Sequence, residues 1–245
     1  MAGHSKWKNI QHRKNRQDAA KSKLFAKLAK EIYVAALKGD KTPSNNQRLR
    51  LAITKARAYN MPNSNIERII KKAAGGNDST AYENIIYEGY GPDGIAVMVE
   101  TLTSNRNRTA ADIRHFFHKY GGNMGQEGCV SWLFKKRGVL CINKKEAEEK
   151  TENVEEFFFQ LLEKGMEDFE ETEEEYEIVT LQENFEIVKE QLEKKGISLK
   201  EALITYIPLN KVTVKKENEE TTLKLLSALE DYDDTQNLVT NAVFT

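Results

Sequence analysis

The chain is poor in the residues that would cross-link it or hold it in lipid. It has two cysteines in 245 residues, Cys129 and Cys141. That is too few for a disulfide framework and fits a reducing cytosol. No run of about 18 apolar residues occurs, which excludes a membrane-spanning helix. No apolar segment follows the opening Met1-Ala2-Gly3-His4-Ser5-Lys6-Trp7, so a secretory leader is not expected. Neither Cys-x-x-Cys nor His-Glu-x-x-His appears, and no Gly-Lys-Ser/Thr follows the glycine-rich loop at 121–128, which removes Walker chemistry and the common zinc patterns. What remains is 39% hydrophobic and 31% charged residues with mean hydropathy −0.64. This suffices for a core under a heavily charged surface, and the length suits two domains or three small ones. A cytoplasmic protein is expected.

The net charge of −1 conceals a strong segregation. Residues 1–78 carry 18 Lys and Arg against 5 Asp and Glu, a balance of +13. Residues 79–137 stand at +1 and residues 138–245 at −15. One end is suited to a polyanion and the other repels it. A segregated solubilising surface would give the same totals, but the arrangement of the cations favours the polyanion.

Residues 5–16 interleave Lys6, Lys8, Arg13, Lys14 and Arg16 with Trp7 and His12. With almost no apolar periodicity, this reads as an arm. A helix from Asp18 to Gly39 follows, with one stripe of Leu24, Leu28, Ile32 and Ala35 and with Lys23, Lys27 and Lys30 on its flank. Ser44-Asn45-Asn46-Gln47 resembles a capping box for a second helix that turns Leu49, Ile53 and Ala56 inward. Ser64-Asn65-Ile66-Glu67 resembles another, for a third helix ending at Gly75-Gly76. Arg48 and Lys55, like Arg50 and Arg57, share a face two turns apart.

Beyond the polar linker 76–81 the period changes. Ile85–Tyr87 and Ile95–Val99 flank Gly89-Tyr90-Gly91-Pro92-Asp93-Gly94. By letter this is a dinucleotide fingerprint, but a β-branched run follows where a helix is required, so it reads as a hairpin. A helix over 107–119 buries Ile113, Phe116, Phe117 and Tyr120. Val130–Phe134 and Gly138–Ile142 read as two strands around Lys135-Lys136-Arg137. A helix with Val154, Phe157, Phe158, Leu161 and Leu162 follows, then a strand pair at 167–181, a helix at 183–195 and a strand at 202–207. This β-α-β-β-α-β series is a ferredoxin-like unit. Strand Val212–Val214, a helix through Leu223, Leu226 and Leu229, and a strand at Leu238-Val239 close the chain.

Candidates for catalysis are weak. His115 and His118 lie three apart and Cys129 follows, but a zinc site needs four convergent ligands, and nothing marks a base for a Cys129 nucleophile. The 15 acids between Glu146 and Glu177, against Lys150 and Lys164, form a run. A run reads as a solvated face, although it would also repel phosphate or suit a basic protein. The amides of the 121–128 loop, beside Arg106, Arg108 and Arg114, are open to a phosphate, although a helix end at a domain joint is the favoured reading.

The surviving signal is nucleic-acid binding by Lys6, Trp7, Lys8, Arg13, Lys14, Arg16, Lys23, Lys27, Arg48 and Lys55, with Arg106 and Arg108 as a second set. Lys and Arg release counterions from phosphates, and Trp7, His12 and Tyr59 are suited to stacking on unpaired bases. Trp7 equally suits a lid closing the arm on the helices. No recognition-helix signature or RNA-recognition aromatic pattern gives a sequence preference. No cofactor, metal, membrane or small-molecule substrate is expected. The rival from another class is an RNA-processing enzyme using His4, His12, His115 or Cys129.

Ala2-Gly3-His4-Ser5-Lys6-Trp7 with Ile10, His12, Lys14 and Asp18 resembles the opening of the YebC/PmpR family. So do Asn60-Met61-Pro62, Ile66-Glu67-Arg68, Glu88-Gly89-Tyr90-Gly91-Pro92, Asn105-Arg106-Asn107-Arg108-Thr109, Gly121-Gly122-Asn123 with Gly125, and Gln236-Asn237. The resemblance implies an α+β multidomain fold. Its parts are an N-terminal three-helix bundle (1–78), an α+β domain (79–130 with 208–245) and an inserted acidic ferredoxin-like α+β domain (131–207). It further implies a non-enzymatic DNA-binding transcriptional regulator. The family also holds a mitochondrial translational activator of cytochrome c oxidase and ribosome-associated factors that relieve stalling at proline-rich stretches, so ribosomal RNA is the alternative target. Departures are Cys129, where a small residue is expected, and a 40–46 loop without extra glycines.

Overall fold

The computed structural model describes residues 18–75 and 80–244. The arm at 5–16 therefore lies outside the described residues, as do Gly76–Ser79 of the linker. The described residues form two compact units. One takes in the chain up to Ala52, Pro62–Lys135 and the chain from Pro208 onward, and the other Ile53–Met61 with Lys136–Ile207.

The first unit begins with α1 (Asp18–Lys38). Leu28, Ile32 and Ala35 of its stripe are buried and Leu24 is half-buried, but Val34 and Ala36 off the stripe are buried as well. The helix is covered on more than one side, by α3 (Asn63–Gly75) and by β9 (Thr235–Thr240). Between α1 and α3 in sequence lies α2 (Gln47–Ala58), whose residues to Ala52 belong to this unit and the rest to the second; its Leu49, Ile53 and Ala56 are buried as the periodicity predicts.

Both capping boxes are corrected. Pro43 opens a single 3-10 turn through Asn45, and the cap falls on Asn46, whose backbone is extended. Asn46 Oδ1 accepts from the Leu49 amide at 3.0 Å, while its Nδ2 donates to the carbonyls of Ala35 and Asp40. One buried amide thus starts α2 and holds the end of α1, which an exposed Ser44 hydroxyl cannot do. In α3 the helix begins at Asn63, and the Pro62 carbonyl accepts from the amides of Asn65 and Ile66. Ser64 is inside the first turn.

The central sheet runs β3-β1-β2-β9, built on the antiparallel pair β1 (Glu83–Tyr90) and β2 (Ala96–Thr103) with β3 (Asn123–Met124) at one edge. Asp93 and Gly94 take positive φ in the turn, so the three glycines close a hairpin. Gly89 and Gly91 are there for close approach. A Cβ on Gly89 would meet the Asn123 carbonyl at 2.6 Å and Phe117 at 2.9 Å, and one on Gly91 would meet Ile95 at 2.8 Å. The apolar run 95–99 is buried on both faces of β2. Val97 and Val99 join a core with Ile113 and Phe117 of α4 (Arg106–Lys119) and Leu225, Leu226 and Leu229 of α8 (Glu219–Asp231). Phe116 and Tyr120 are only half-buried. The end of the chain adds β10 (Ala242–Val243), parallel to β8 (Val212–Thr213).

The second unit has the strand order β5-β6-β4-β7, from β4 (Phe134–Asn143), β5 (Met166–Glu171), β6 (Glu175–Thr180) and β7 (Leu199–Pro208). With α5 (Lys144–Lys150), α6 (Val154–Glu163) and α7 (Phe185–Lys194), this is the ferredoxin-like arrangement expected from the sequence. The two strands read around Lys135-Lys136-Arg137 are corrected. Ser131–Leu133 is a 3-10 turn and the chain then runs as one strand through the basic trio. Gly138 is not a turn glycine. A Cβ there would meet Thr180 Oγ1 at 2.3 Å and Phe185 at 2.4 Å, so glycine lets two elements approach closely.

Candidate nucleic-acid interface

Of the cations singled out in the sequence, Lys6, Lys8, Arg13, Lys14 and Arg16 lie outside the described residues, and so does Trp7. The described ones fall into two groups. Lys23 and Arg48 are exposed and Lys55 is half-buried. Arg48 also donates from Nη2 to Asn84 Oδ1 at 2.9 Å.

Lys27, Lys30 and Arg108 are occupied within the first unit. Lys30 Nζ meets Asp234 Oδ1 at 2.6 Å, and Arg108 Nη2 meets Asp234 Oδ2 at 2.9 Å. The Thr109 hydroxyl donates to the same Oδ2 at 2.8 Å. The Asp234 side chain is only 5% exposed. Burial alone would raise its pKa, but the donors from Lys30, Thr109 and Arg108 prevail and hold it down at about 2. Lys27 donates to the backbone carbonyl of Glu230, in the last turn of α8. Desolvation lowers the Lys27 pKa to about 8, against the opposing pull of Glu230, Asp231 and Asp233. The flank of α1 is thus not a uniformly solvated face. Lys23 is open, while Lys27 and Lys30 hold α1 to the closing helix and strand.

Arg106 is exposed, and its carbonyl accepts from the Tyr87 hydroxyl at 3.2 Å. Asn105 caps α4, accepting from the Arg108 amide at 3.1 Å. Of the two arginines in the Asn105–Thr109 segment, Arg108 is ion-paired to Asp234, while Arg106 makes no ion pair among the described residues.

Of the 121–128 amides read as open to a phosphate, that of Gly128 is taken by the protein's own carboxylate, together with two amides that follow the loop. Glu88, 4% exposed, accepts from the amides of Gly128, Val130 and Ser131 at 3.0, 2.8 and 2.8 Å. The Gly125 amide donates to the Glu88 carbonyl at 2.9 Å. The Gly121, Gly122 and Cys129 amides are bonded within the helix end and the loop. A buried anion on β1 therefore already fills the place of a phosphate. Burial, and after it the same carboxylate, raise the Cys129 thiol pKa, which is opposite to what a nucleophilic cysteine needs. His115 and His118 are exposed, and no group of three or more potential metal ligands occurs among the described residues.

The sequence reading passed over a basic patch on α3. Arg68 is exposed, with exposed Lys71 and Lys72 three and four residues after it, opposite buried Ile66 and Ala73. Their i, i+3 and i, i+4 spacing is the signal that marks them.

Two profiles of one family match the chain: the TACO1/YebC N-terminal domain over residues 5–76, and the TACO1/YebC second and third domain over residues 82–242. The chain belongs to the TACO1/YebC family. It is 53% identical over 241 residues to a probable transcriptional regulatory protein of Geobacillus thermodenitrificans, covering 98% of this chain and 96% of the relative. With the protein of that description from Clostridium novyi it shares 48% identity over 246 residues, covering 100% and 98% of the two chains. The crystal structure of a conserved hypothetical protein from Aquifex aeolicus is similar with a TM-score of 0.79 at 44% identity, covering 93% of this chain and 92% of that one. Against this background the Glu-Gly-Tyr-Gly-Pro segment of the TACO1/YebC chain acquires a physical role. Glu88 ties down the following loop, Gly89 and Gly91 admit neighbouring groups, and the Tyr90 hydroxyl donates to the Cys129 carbonyl at 2.9 Å. No described helix is long and apolar enough to cross a membrane.

Proposed function

We propose that this chain is a non-enzymatic regulator of gene expression that works by binding nucleic acid, as a DNA-binding transcriptional regulator in the cytoplasm. The observation that carries the reading is the charge segregation, +13 over residues 1–78 against −15 over residues 138–245. The names of the curated relatives agree with regulation. The arm cations Lys6, Lys8, Arg13, Lys14 and Arg16, with Lys23, Arg48 and Lys55, neutralise phosphates, and Arg68, Lys71 and Lys72 extend the surface. Arg106 is a secondary contact. Lys27 and Arg108 contribute through the positioning of α1 and α4 rather than by direct contact. The mechanism is occupancy: a bound protein changes access for polymerase.

The alternative is a ribosome-associated factor that binds ribosomal RNA. It is favoured by the lack of any recognition-helix signature, because phosphate contacts alone carry no sequence information. A competition at several salt concentrations separates the two. The protein is offered intact ribosomes and excess promoter-length duplex, and its partition is measured by sedimentation. Preference for duplex, above all for one sequence over another, supports the transcriptional reading. Retention on ribosomes at physiological salt overturns it in favour of translation.

A further inference from the structure

Trp132 is 67% exposed, in the 3-10 turn that precedes β4. Its indole N–H is not free to seek a partner, since Nε1 donates to the Cys129 carbonyl at 3.1 Å. The Tyr90 hydroxyl donates to that same carbonyl, so two aromatic side chains converge on one oxygen, and Tyr90 is itself 37% exposed. Leu209, 56% exposed, is brought beside this turn by its amide, which donates to the Leu133 carbonyl at 2.8 Å. The carbonyl that anchors Trp132 belongs to the loop held by Glu88 through three amides. The ring is therefore pre-positioned with its polar edge satisfied, and what it offers to solvent is an aromatic surface.

The two chain passages of the first unit that meet there, 128–135 and 208–216, contain no Asp or Glu, although residues 138–245 as a whole stand at −15. They carry exposed Lys135, three residues after Trp132, and exposed Lys211, two residues after Leu209. A fixed aromatic surface, with exposed lysines close to it in sequence and no carboxylate in either passage, matches a base with its phosphate better than it matches an acidic or a purely apolar protein surface. We propose that Trp132 is a stacking platform for an unpaired base of a single-stranded nucleic acid, remote in sequence from the basic arm. The proposal rests on the reading of this chain as a nucleic-acid-binding protein.

The chain has two tryptophans, Trp7 and Trp132, so Trp7→Phe leaves Trp132 as the sole indole. The full-length W7F protein is titrated with an unstructured single-stranded RNA of about 15 nucleotides, long enough to fill one typical binding site. A duplex of equal length serves as the comparison. Quenching of Trp132 emission by the single strand and not by the duplex is the expected result. In parallel, Trp132→Ala should weaken single-strand affinity about 5- to 150-fold while Trp132→Phe stays near the parent, as the loss of one base–aromatic stack implies. Tight binding with unchanged Trp132 emission and an unchanged W132A affinity overturns the platform and leaves the arm's role standing. No binding of either nucleic acid by the parent protein overturns the underlying reading as well. Exposure of Trp132 keeps the W132A fold intact, which a superimposable circular dichroism spectrum verifies.

Discussion

The ammonium of Lys27 donates to the carbonyl of Glu230, 203 residues away, where α8 ends. A lysine from the basic N-terminal helix thereby caps a helix of the acidic C-terminal part of the chain. Cations suit that end, because its last carbonyls lack intrahelical partners. The contact also desolvates the ammonium, and desolvation is the larger effect.

A pH dependence follows from this contact. The folded-state pKa of Lys27 is lowered from 10.5 to about 8, so between those values the unfolded chain binds the proton that the folded chain has released. Stability attributable to Lys27 therefore rises as pH increases from about 8 toward 10.5. Urea midpoints measured across that window should climb in the parent and lose this component in Lys27→Met. An identical slope in both proteins refutes the assignment.

Asp234 gives a slope of the same sign in the acid range, although here the fold favours the charged form rather than the neutral one. Its pKa falls from 3.8 to about 2 under the donors from Lys30, Thr109 and Arg108. It thus contributes about 2 kcal/mol above pH 4, lost as pH falls through the folded value near 2. Asp234→Asn should cost roughly 2–3 kcal/mol at neutral pH, because Lys30 and Arg108 lose their common partner. The variant should also flatten the acid limb of the stability curve. Chemical denaturation at pH 7 and at pH 3 provides both readings.

Glu88→Ala removes the acceptor for three amides and leaves Val130 buried with an unmatched N–H. Bonds to a charged group are worth about 1.5–3 kcal/mol each and are not additive, so a total loss of roughly 2–4 kcal/mol is expected. Hydrogen exchange should localise the damage, with protection lost first at Gly128, Val130 and Ser131. Unchanged exchange at these amides would contradict the clamp.

Charge reversal at Lys6, Lys8 and Lys14 together tests the arm. Each phosphate contact contributes about 0.9 to the slope of log K against log salt on duplex, so the slope should flatten by about 3 as affinity drops. If the triple variant keeps the parent's slope, the arm is not the phosphate-binding element.

Local signals in the sequence located most of the elements. The 3.6-residue stripe of α1, the Pro-Asp-Gly hairpin and the β-α-β-β-α-β series all lie where their periodicities put them. The errors share a cause. Ser44 has the letter of a cap, but Asn46 is the cap because its amide must also reach Ala35 and Asp40 across the chain. Lys135-Lys136-Arg137 has the letters of a break between strands, but the strand runs through it, and at Gly138 Thr180 and Phe185 press close from distant parts of the sequence.

The same division holds for the candidate site. Composition by itself determined the charge segregation, since counting Lys and Arg requires no coordinates, and the motifs determined the family resemblance. Only the tertiary structure decided which cations are engaged. Lys23 and Lys27 are one helical turn apart, yet one is exposed and the other meets Glu230. Likewise the loop at 121–128 reads as a helix end with amides open to a phosphate, and only the fold shows the Gly128 amide bonded to Glu88. The physical reason is range: periodicity, capping and turn propensity act over a few residues, whereas ion pairing and desolvation depend on groups more than a hundred residues away, as Asp234 is from Arg108.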